Sequence, residues 1–470
     1  MSMFELSSET DGPELRLSEL LGALSHALDI TEGQPEGHCV RACWIAVALG
    51  REIGLPDAEL WELYYTVLLK DLGCSSNAAR ICQLYLTDDV SFKRDFKTVG
   101  ESLPQVLRFV LAHTGLKAGL AERFRAILNI VGNGGRFARE LIETRCQRGA
   151  EIARQLRFSE AVASGIASLD EHWDGCGKPL GLKDEAIPVY SRIALLAQVA
   201  DVFATGAGPA AAAAEVARRA GTWFDPALAA AFARIAARPD FWTGLFSPDI
   251  DRRLFALEPA RFVVMLDEDH LDDIAAAFAR VVDSKSPYTA GHSSRVALFT
   301  DTIAEAQGIP APQRRRLGRA ALLHDVGKLG VSNSVLDKPG KLDATEWDAI
   351  RLHPVHSETI LSRISAFADI ARIGGAHHER LDGKGYPRGL SAENICPATR
   401  IVTTADIFDA LTAERPYRAA LPVGEALAIM DRDVGTAIDP DCFAALRTGL
   451  DRMESAALAT EPPVPARAAA

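Results

Sequence analysis

At 470 residues the chain is too long for one compact core, so two domains are expected. Hydrophobic residues make up 48%, charged residues 24% and aromatics only 7%, an alanine-rich texture that favours helices over sheets and excludes a disordered chain. The formal net charge of −12 excludes a general nucleic-acid binder, which needs a clustered basic face, and leaves room for a small anionic substrate held by metals and a few arginines.

The opening residues, "MSMFELSSETDG", lack a basic stretch followed by an apolar core and are not a secretory signal. No run of about 18 apolar residues occurs, so no membrane span is expected. The eight cysteines contain no CxxC pair and read as reduced thiols of a cytoplasmic protein. Apolar residues three and four apart then predict helices in chain order: "LRLSELLGALSHALDI", "ELWELYYTVLLKDLG", "DDIAAAFARVVD" and "RRRLGRAALLHDVG". No segment alternates as a strand, so the expected fold is all-α. Gly and Pro punctuation between Pro239 and Pro259 marks the interdomain joint. The expected division is an N-terminal domain over 1–250, a linker over 251–265, a C-terminal domain over 266–455 and a loose tail over 456–470.

Six of the eleven histidines fall between residues 292 and 378. In order come His292, the pair His324-Asp325, His353, the pair His377-His378, and Asp406 in "TTADIFDA". Seven imidazoles and carboxylates can hold more than one ion, and Asp325 can bridge two because each oxygen can bind a different metal. Any one of these histidines alone reads as an ordinary buried or surface residue. The whole set does not.

The stretches "LLHDVGK", "HPVHSETIL", "HHERLDGKGYP" and "ATRIVTTADIFDALTAERPYR" resemble the HD-GYP subgroup of the HD phosphohydrolase superfamily over roughly residues 266 to 450. The resemblance implies an all-α domain whose metal centre, usually iron or manganese, hydrolyses cyclic di-GMP through a metal-bridged hydroxide. It implies His292, His324, Asp325, His353, His377, His378 and Asp406 as ligands, with Asp325 as the bridge. Lys328 would bind or protonate the phosphodiester, and Gly385, Tyr386, Arg415 and Arg418 would contact substrate. Arg415 and Arg418, three apart, would share a face on a helical turn and clamp a phosphate. Trinuclear members resemble one another in placing Glu four residues before the first histidine. Here that position is Tyr288, a poor ligand, so two divalent ions are expected, with linear pGpG as the product and further hydrolysis to GMP left open.

Measured against this signature, the first half repeats it. Thirty-three residues separate His38 from Asp71 and His292 from Asp325; 29 separate Arg145 from Asp174 and His353 from Asp382; 24 separate Asp174 from Gln198 and Asp382 from Asp406. Equal spacings with shared text indicate an internal duplication. In the first copy Lys70, Cys74 and Arg145 stand for His324, Lys328 and His353. Leu169-Asp170 replaces the histidine pair, and Gln198 replaces Asp406. Cations at ligand positions repel a metal, so this copy is expected to be metal-free, serving as a sensor, scaffold, dimer surface or signalling-protein contact. It carries an insertion at about 75–140, a partner surface or an extra helical hairpin, in which His113 reads as an ordinary histidine. The alternatives left open are hydrolysis of another cyclic dinucleotide or nucleotide, and cyclic-dinucleotide binding without turnover.

Overall fold

The computed structural model describes residues 15–97, 99, 103–116, 118–416 and 418–460. The opening stretch and the last ten residues of the expected tail lie outside the described residues; the final helix, Pro440–Thr460, runs through the tail's first five. Among the described residues the fold is helical, with isolated bridge pairs and no strand.

The duplication is visible element by element. Helices Leu17–Thr31, His38–Glu52, Asp57–Leu68 and Val189–Ala207 of the first half correspond to Glu268–Asp283, His292–Ala306, Ala311–Leu323 and Pro397–Thr412 of the second. In each half the chain leaves the third helix through the Asp-x-Gly of the repeated motif, which leads into a short 3-10 helix, Cys74–Asn77 in the first half and Val326–Gly330 in the second. There two backbones nearly touch. A Cβ on Gly73 would sit 1.9 Å from the Arg145 carbonyl oxygen, and one on Gly327 would sit 2.0 Å from that of His353, so only glycine fits.

The halves do not keep separate interiors. One apolar cluster runs from Leu17 to Leu446 through both. Helix Leu17–Thr31 joins them: thirteen of its fifteen residues are buried, so it is a core element with no solvent face. Its Ile30 side chain meets Gly330 beside the second half's His-Asp motif. In return Ser75 of the first half donates to the Val281 carbonyl, 2.7 Å. Residues 251–265 also pack: Glu258 accepts from Ser18 Oγ at 2.7 Å and Tyr65 OH at 2.6 Å, and Leu17 N donates to Val264 O at 3.0 Å.

The insertion forms helices Ala78–Tyr85, Asp89–Phe96 and Leu103–His113 and the front of the long helix Leu120–Gln155. It has a small core of its own, Ile81, Phe92 and Phe109. His113 stacks on Phe109 with ring centroids 4.1 Å apart, and its Nε2 lies 3.1 Å from Asp95, an ordinary helix histidine as expected. All eight cysteines are free thiols. No helix of the described residues is long and apolar enough to cross a membrane.

Candidate functional site

The seven expected ligands converge on one buried point. Asp325, immediately after helix Ala311–Leu323, divides its carboxylate between two groups of side chains. Oδ2 lies 3.2 Å from His292 Nε2 and 3.3 Å from His324 Nε2. Oδ1 lies 3.3 Å from His353 Nε2 and 3.6 Å from His377 Nε2. Asp406 Oδ1 joins the first group at 3.4 Å from His292 Nε2, and His378 joins the second, its ring centroid 4.1 Å from that of His377. Ligating atoms of His292, His324 and Asp406 all lie within 4.8 Å of one another, as do those of His353, His377 and His378.

The backbone sets the tautomers. Nδ1 of His324, His353 and His377 donates to the carbonyl three residues earlier, Ala321 at 2.7 Å, Ile350 at 2.6 Å and Gly374 at 2.8 Å. Each Nε2 is therefore a bare lone pair aimed inward. His324 Nε2 and Asp325 Oδ1 are buried without a hydrogen-bond partner, which in a packed interior is the mark of atoms built to hold something else. Burial drives His353 down to about 4 and lowers His377 and His378 too, keeping these imidazoles neutral, the form that ligates metal. Burial would depress His292 as well, but Asp325 and Asp409 outweigh it and hold it at about 9. For Asp325 itself, burial is outweighed by His324 and Lys328, which keep the carboxylate ionised. The donor set fits divalent metal ions.

Three supporting residues were not singled out from the sequence. Asp409 Oδ2 accepts from His292 Nδ1 at 2.7 Å, and Arg295 clamps the same carboxylate at 2.5 and 3.1 Å. The first half repeats the triad: Asp201 lies 2.7 Å from His38 Nδ1 and is clamped by Arg41 at 2.7 and 3.2 Å. Glu379 also serves the site from behind, accepting from the backbone of Arg388 at 2.7 Å and Leu390 at 2.8 Å and so holding the GYP loop.

Lys328, one turn after Asp325, pairs with Asp325 Oδ2. Tyr386 stacks on His378, centroids 4.8 Å apart at 30°. It borders a cleft of about 570 Å³ lined by Asp348, Arg351, Leu352, Lys384 and Gly385. Gly385 has a structural reason for being glycine: a Cβ would lie 2.5 Å from Glu379 Cα and 2.4 Å from Arg380 N. The two arginines need correcting. Helix Pro397–Thr412 ends before them, and Arg415 and Arg418 face each other across a backbone bridge, with N to O distances of 2.8 and 3.1 Å, so no helical turn aligns them. Arg418 spends its guanidinium on the carbonyls of Leu411 at 2.9 Å and Ala410 at 2.7 Å, closing the helix end. Among the described residues the Arg415 guanidinium has no hydrogen-bond or ion-pair partner. Tyr288 is half-exposed in the turn before His292.

In the first half a lysine occupies the corresponding centre. Lys70 Nζ lies 3.1 Å from His38 Nε2 and pairs with Asp71. Arg145 pairs with Asp170, where His353 and His378 meet in the other half. Glu32, Asp71 and Cys74 cluster closely enough to ligate an ion, a grouping the sequence reading lacked because Glu32 precedes the motif. Burial pushes the Cys74 thiol well up, keeping it neutral. Burial would raise Glu32, but Lys97, 2.9 Å away, and Lys93 hold it at about 2. Four cations surround two carboxylates, leaving no net negative charge for a metal.

The HD domain profile matches residues 102–228 and 276–442, one segment in each half. The chain is 55% identical over 435 residues to 3′3′-cGAMP-specific phosphodiesterase 3 of Vibrio cholerae, covering 93% of this chain and 95% of that protein. It is 35% identical over 211 residues to the cyclic di-GMP phosphodiesterase response regulator RpfG of Xanthomonas campestris, covering 44% of this chain and 56% of that protein. Among solved structures it is similar to that of a cyclic GMP-AMP specific phosphodiesterase of V. cholerae, at 50% identity, a TM-score of 0.65, and coverage of 93% of this chain and 98% of the other.

Proposed function

From the premise that this chain belongs to the HD domain family, and within it to the HD-GYP group of cyclic-dinucleotide phosphodiesterases, we propose that it opens 3′3′-cGAMP to a linear dinucleotide. The observation that carries the chemistry is the Asp325 carboxylate, whose two oxygens face two separate histidine groups. The cyclic GMP-AMP choice is supported by 55% identity running through both halves of the chain.

The site's own residues divide the work. His292, His324 and Asp406 would hold one divalent ion and His353, His377 and His378 another, with Asp325 placed between the two groups. Divalent metal bound there would supply an activated water at neutral pH and offset the negative charge of the phosphate. The carbonyls of Ala321, Ile350 and Gly374 keep the imidazoles oriented throughout. Lys328, beside Asp325, donates to a phosphoryl oxygen and supplies a proton to the leaving 3′ oxygen. Arg415 gives planar donors to the second phosphate. Tyr386, whose phenol burial keeps protonated, offers a ring face and a donor at the mouth of the cleft, while Arg351 and Lys384 add positive charge there. The first half holds no metal in this reading, and Lys70 supplies the positive charge at its centre.

Two ions per chain are expected, because the donors separate into two groups and Tyr288 stands where a third carboxylate would be. Manganese- or iron-loaded protein is incubated with 3′3′-cGAMP, cyclic di-GMP and cyclic di-AMP, and the products are resolved by chromatography. Release of a linear dinucleotide from 3′3′-cGAMP in preference to the others supports the reading; no linear product from any of them sinks it. Preference for cyclic di-GMP is the second reading, favoured by the HHERLDGKGYP motif and by the relatives that act on that substrate.

A further inference from the structure

The loop that carries Lys328 is not held by its own half alone. Gly327 N donates to Ser357 Oγ at 2.9 Å within the half, but the far end of the loop is fixed from outside. Asp89, from the insertion in the first half, is fully buried, and its carboxylate collects three donors of the second half. Oδ1 accepts from Asn333 N at 2.8 Å and from Ser332 Oγ at 3.1 Å, and Oδ2 accepts from Lys285 Nζ at 3.3 Å. Asn333 passes the restraint on, donating from its side chain to Lys285 O at 2.6 Å and Asp337 Oδ2 at 2.7 Å. Between Lys328 and Ser332 the chain makes one 3-10 turn, with Val331 N on Lys328 O at 3.0 Å, so the anchor sits about one turn from the catalytic ammonium.

The same short helix, Asp89–Phe96, grips the degenerate site with its next turn. Lys93, four residues on and so on the same face, donates to Cys74 O at 2.8 Å and Thr31 O at 3.3 Å. One helix thus spans the two Asp-x-Gly loops, with its carboxylate on the intact one and its ammonium on the degenerate one. Within its own half the carboxylate meets only the weak donor Cys82 Sγ, at 3.7 Å, and a buried carboxylate whose three strong donors lie in the other half, two of them 243 and 244 residues away in sequence, is costly to desolvate and is repaid only if the loop stays in this position.

We infer that Asp89 is a positioning residue for the phosphodiesterase centre, acting through the Lys328 loop, and that helix Asp89–Phe96 is the route by which the first half sets the activity of the second. The inference rests on the proposed function for its kinetic arm only. Full-length wild type, Asp89→Asn, Asp89→Ala, Ser332→Ala, Lys328→Ala and the Asp89→Ala/Lys328→Ala double variant are compared by steady-state kinetics on 3′3′-cGAMP and by metal content.

Asp89→Ala is expected to lower kcat about ten- to a hundredfold, the cost of a misplacement remote from the chemistry. KM should stay within about twofold and metal content should not change. Asp89→Asn keeps an acceptor oxygen for Asn333 and Ser332 and should lose less, as should Ser332→Ala, which gives up one donor. In the Lys328→Ala background the Asp89 substitution should add nothing, a non-additivity that general destabilisation would not produce. Amide exchange supplies a readout without turnover: residues 326–337 should exchange faster in Asp89→Ala, while 397–412 stay protected. Wild-type kcat in Asp89→Ala, multiplicative losses in the double variant, or unchanged exchange in the loop would each overturn the inference. Should the wild type open no cyclic dinucleotide, the proposed function fails and the exchange measurement still decides Asp89. Should Asp89→Ala not fold, Asp89→Asn and Ser332→Ala decide it by the same readouts.

Discussion

The duplicated His-Asp-Arg triad allows one substitution to be made twice in the same molecule, once beside the proposed metal centre and once beside Lys70. Asp409→Ala removes the acceptor that fixes His292 Nδ1 and leaves Arg295 unpaired; Asp201→Ala does the same to His38 and Arg41. Both carboxylates are 1% exposed, so both changes break a buried pair. Removing one partner of such a pair costs about 3–5 kcal/mol, and Asp201→Ala should approach this because the Arg41 side chain is only 11% exposed. Arg295 is 39% exposed and can turn to water, so Asp409→Ala should cost less, about 1–3 kcal/mol. Metal affinity should separate the two completely. Loss of an outer partner of a ligating histidine costs about 10- to 100-fold in affinity, or about 1.4–2.8 kcal/mol, and only Asp409→Ala should show it. Thermal unfolding of metal-stripped protein measures the first quantity, and competition with a chromogenic chelator measures the second. Wild-type affinity in Asp409→Ala would refute the assigned role of His292, and loss of metal in Asp201→Ala would refute a metal-free first half.

Asp325→Ala should leave the protein with neither ion and no turnover, while Glu32→Gln should leave the metal count unchanged; elemental analysis of the two variants checks both. Arg415→Ala should lower kcat/KM about tenfold or more with an unchanged unfolding temperature. Arg418→Ala should do the reverse, losing about 1 kcal/mol of stability through the uncapped helix end, a contrast that parallel kinetic and melting measurements would expose. Glu32 is held at about 2 against an ordinary 4.5, so its charge stabilises the fold above pH 4.5 and that contribution drains away as pH falls towards 2. Glu32→Gln should therefore flatten the acid limb of a melting-temperature profile over that window; an unaltered limb would contradict the pairing with Lys97 and Lys93.

The cluster of histidines and aspartates was legible in the sequence because its members are of the few residue types that suit metal chemistry, and the duplication was legible because spacings survive when letters change. Asp409 was within reach: it lies three residues after Asp406 on the same helix, and its twin Asp201 persists although Gln198 stands where Asp406 does. The helical reading of Arg415 and Arg418 failed on a signal that was present. Arg415 precedes Pro416, and the residue before a proline is pushed out of the helical region, so the apparent three-residue periodicity had no helix beneath it. The Asp89 anchor could not have been read at all, since its partners in the second half lie more than 190 positions away and an acid at a helix start looks like a cap. Equally, nothing in composition announces that the two halves share one interior, which follows from the burial of helix Leu17–Thr31 on every side.

Gly73 and Gly327 stand at the same crowded crossing, one behind Lys70 and the other behind His324. The glycine of the His-Asp-x-Gly-Lys signature is thus demanded by a neighbouring carbonyl whether or not catalysis survives. This glycine therefore carries no information about activity, whereas the letters before and after it, Lys70 against His324 and Cys74 against Lys328, tell the two copies apart. In proteins built by doubling, the positions that agree between copies report how the chain must be folded, and those that differ report how the chemistry of the two centres has parted.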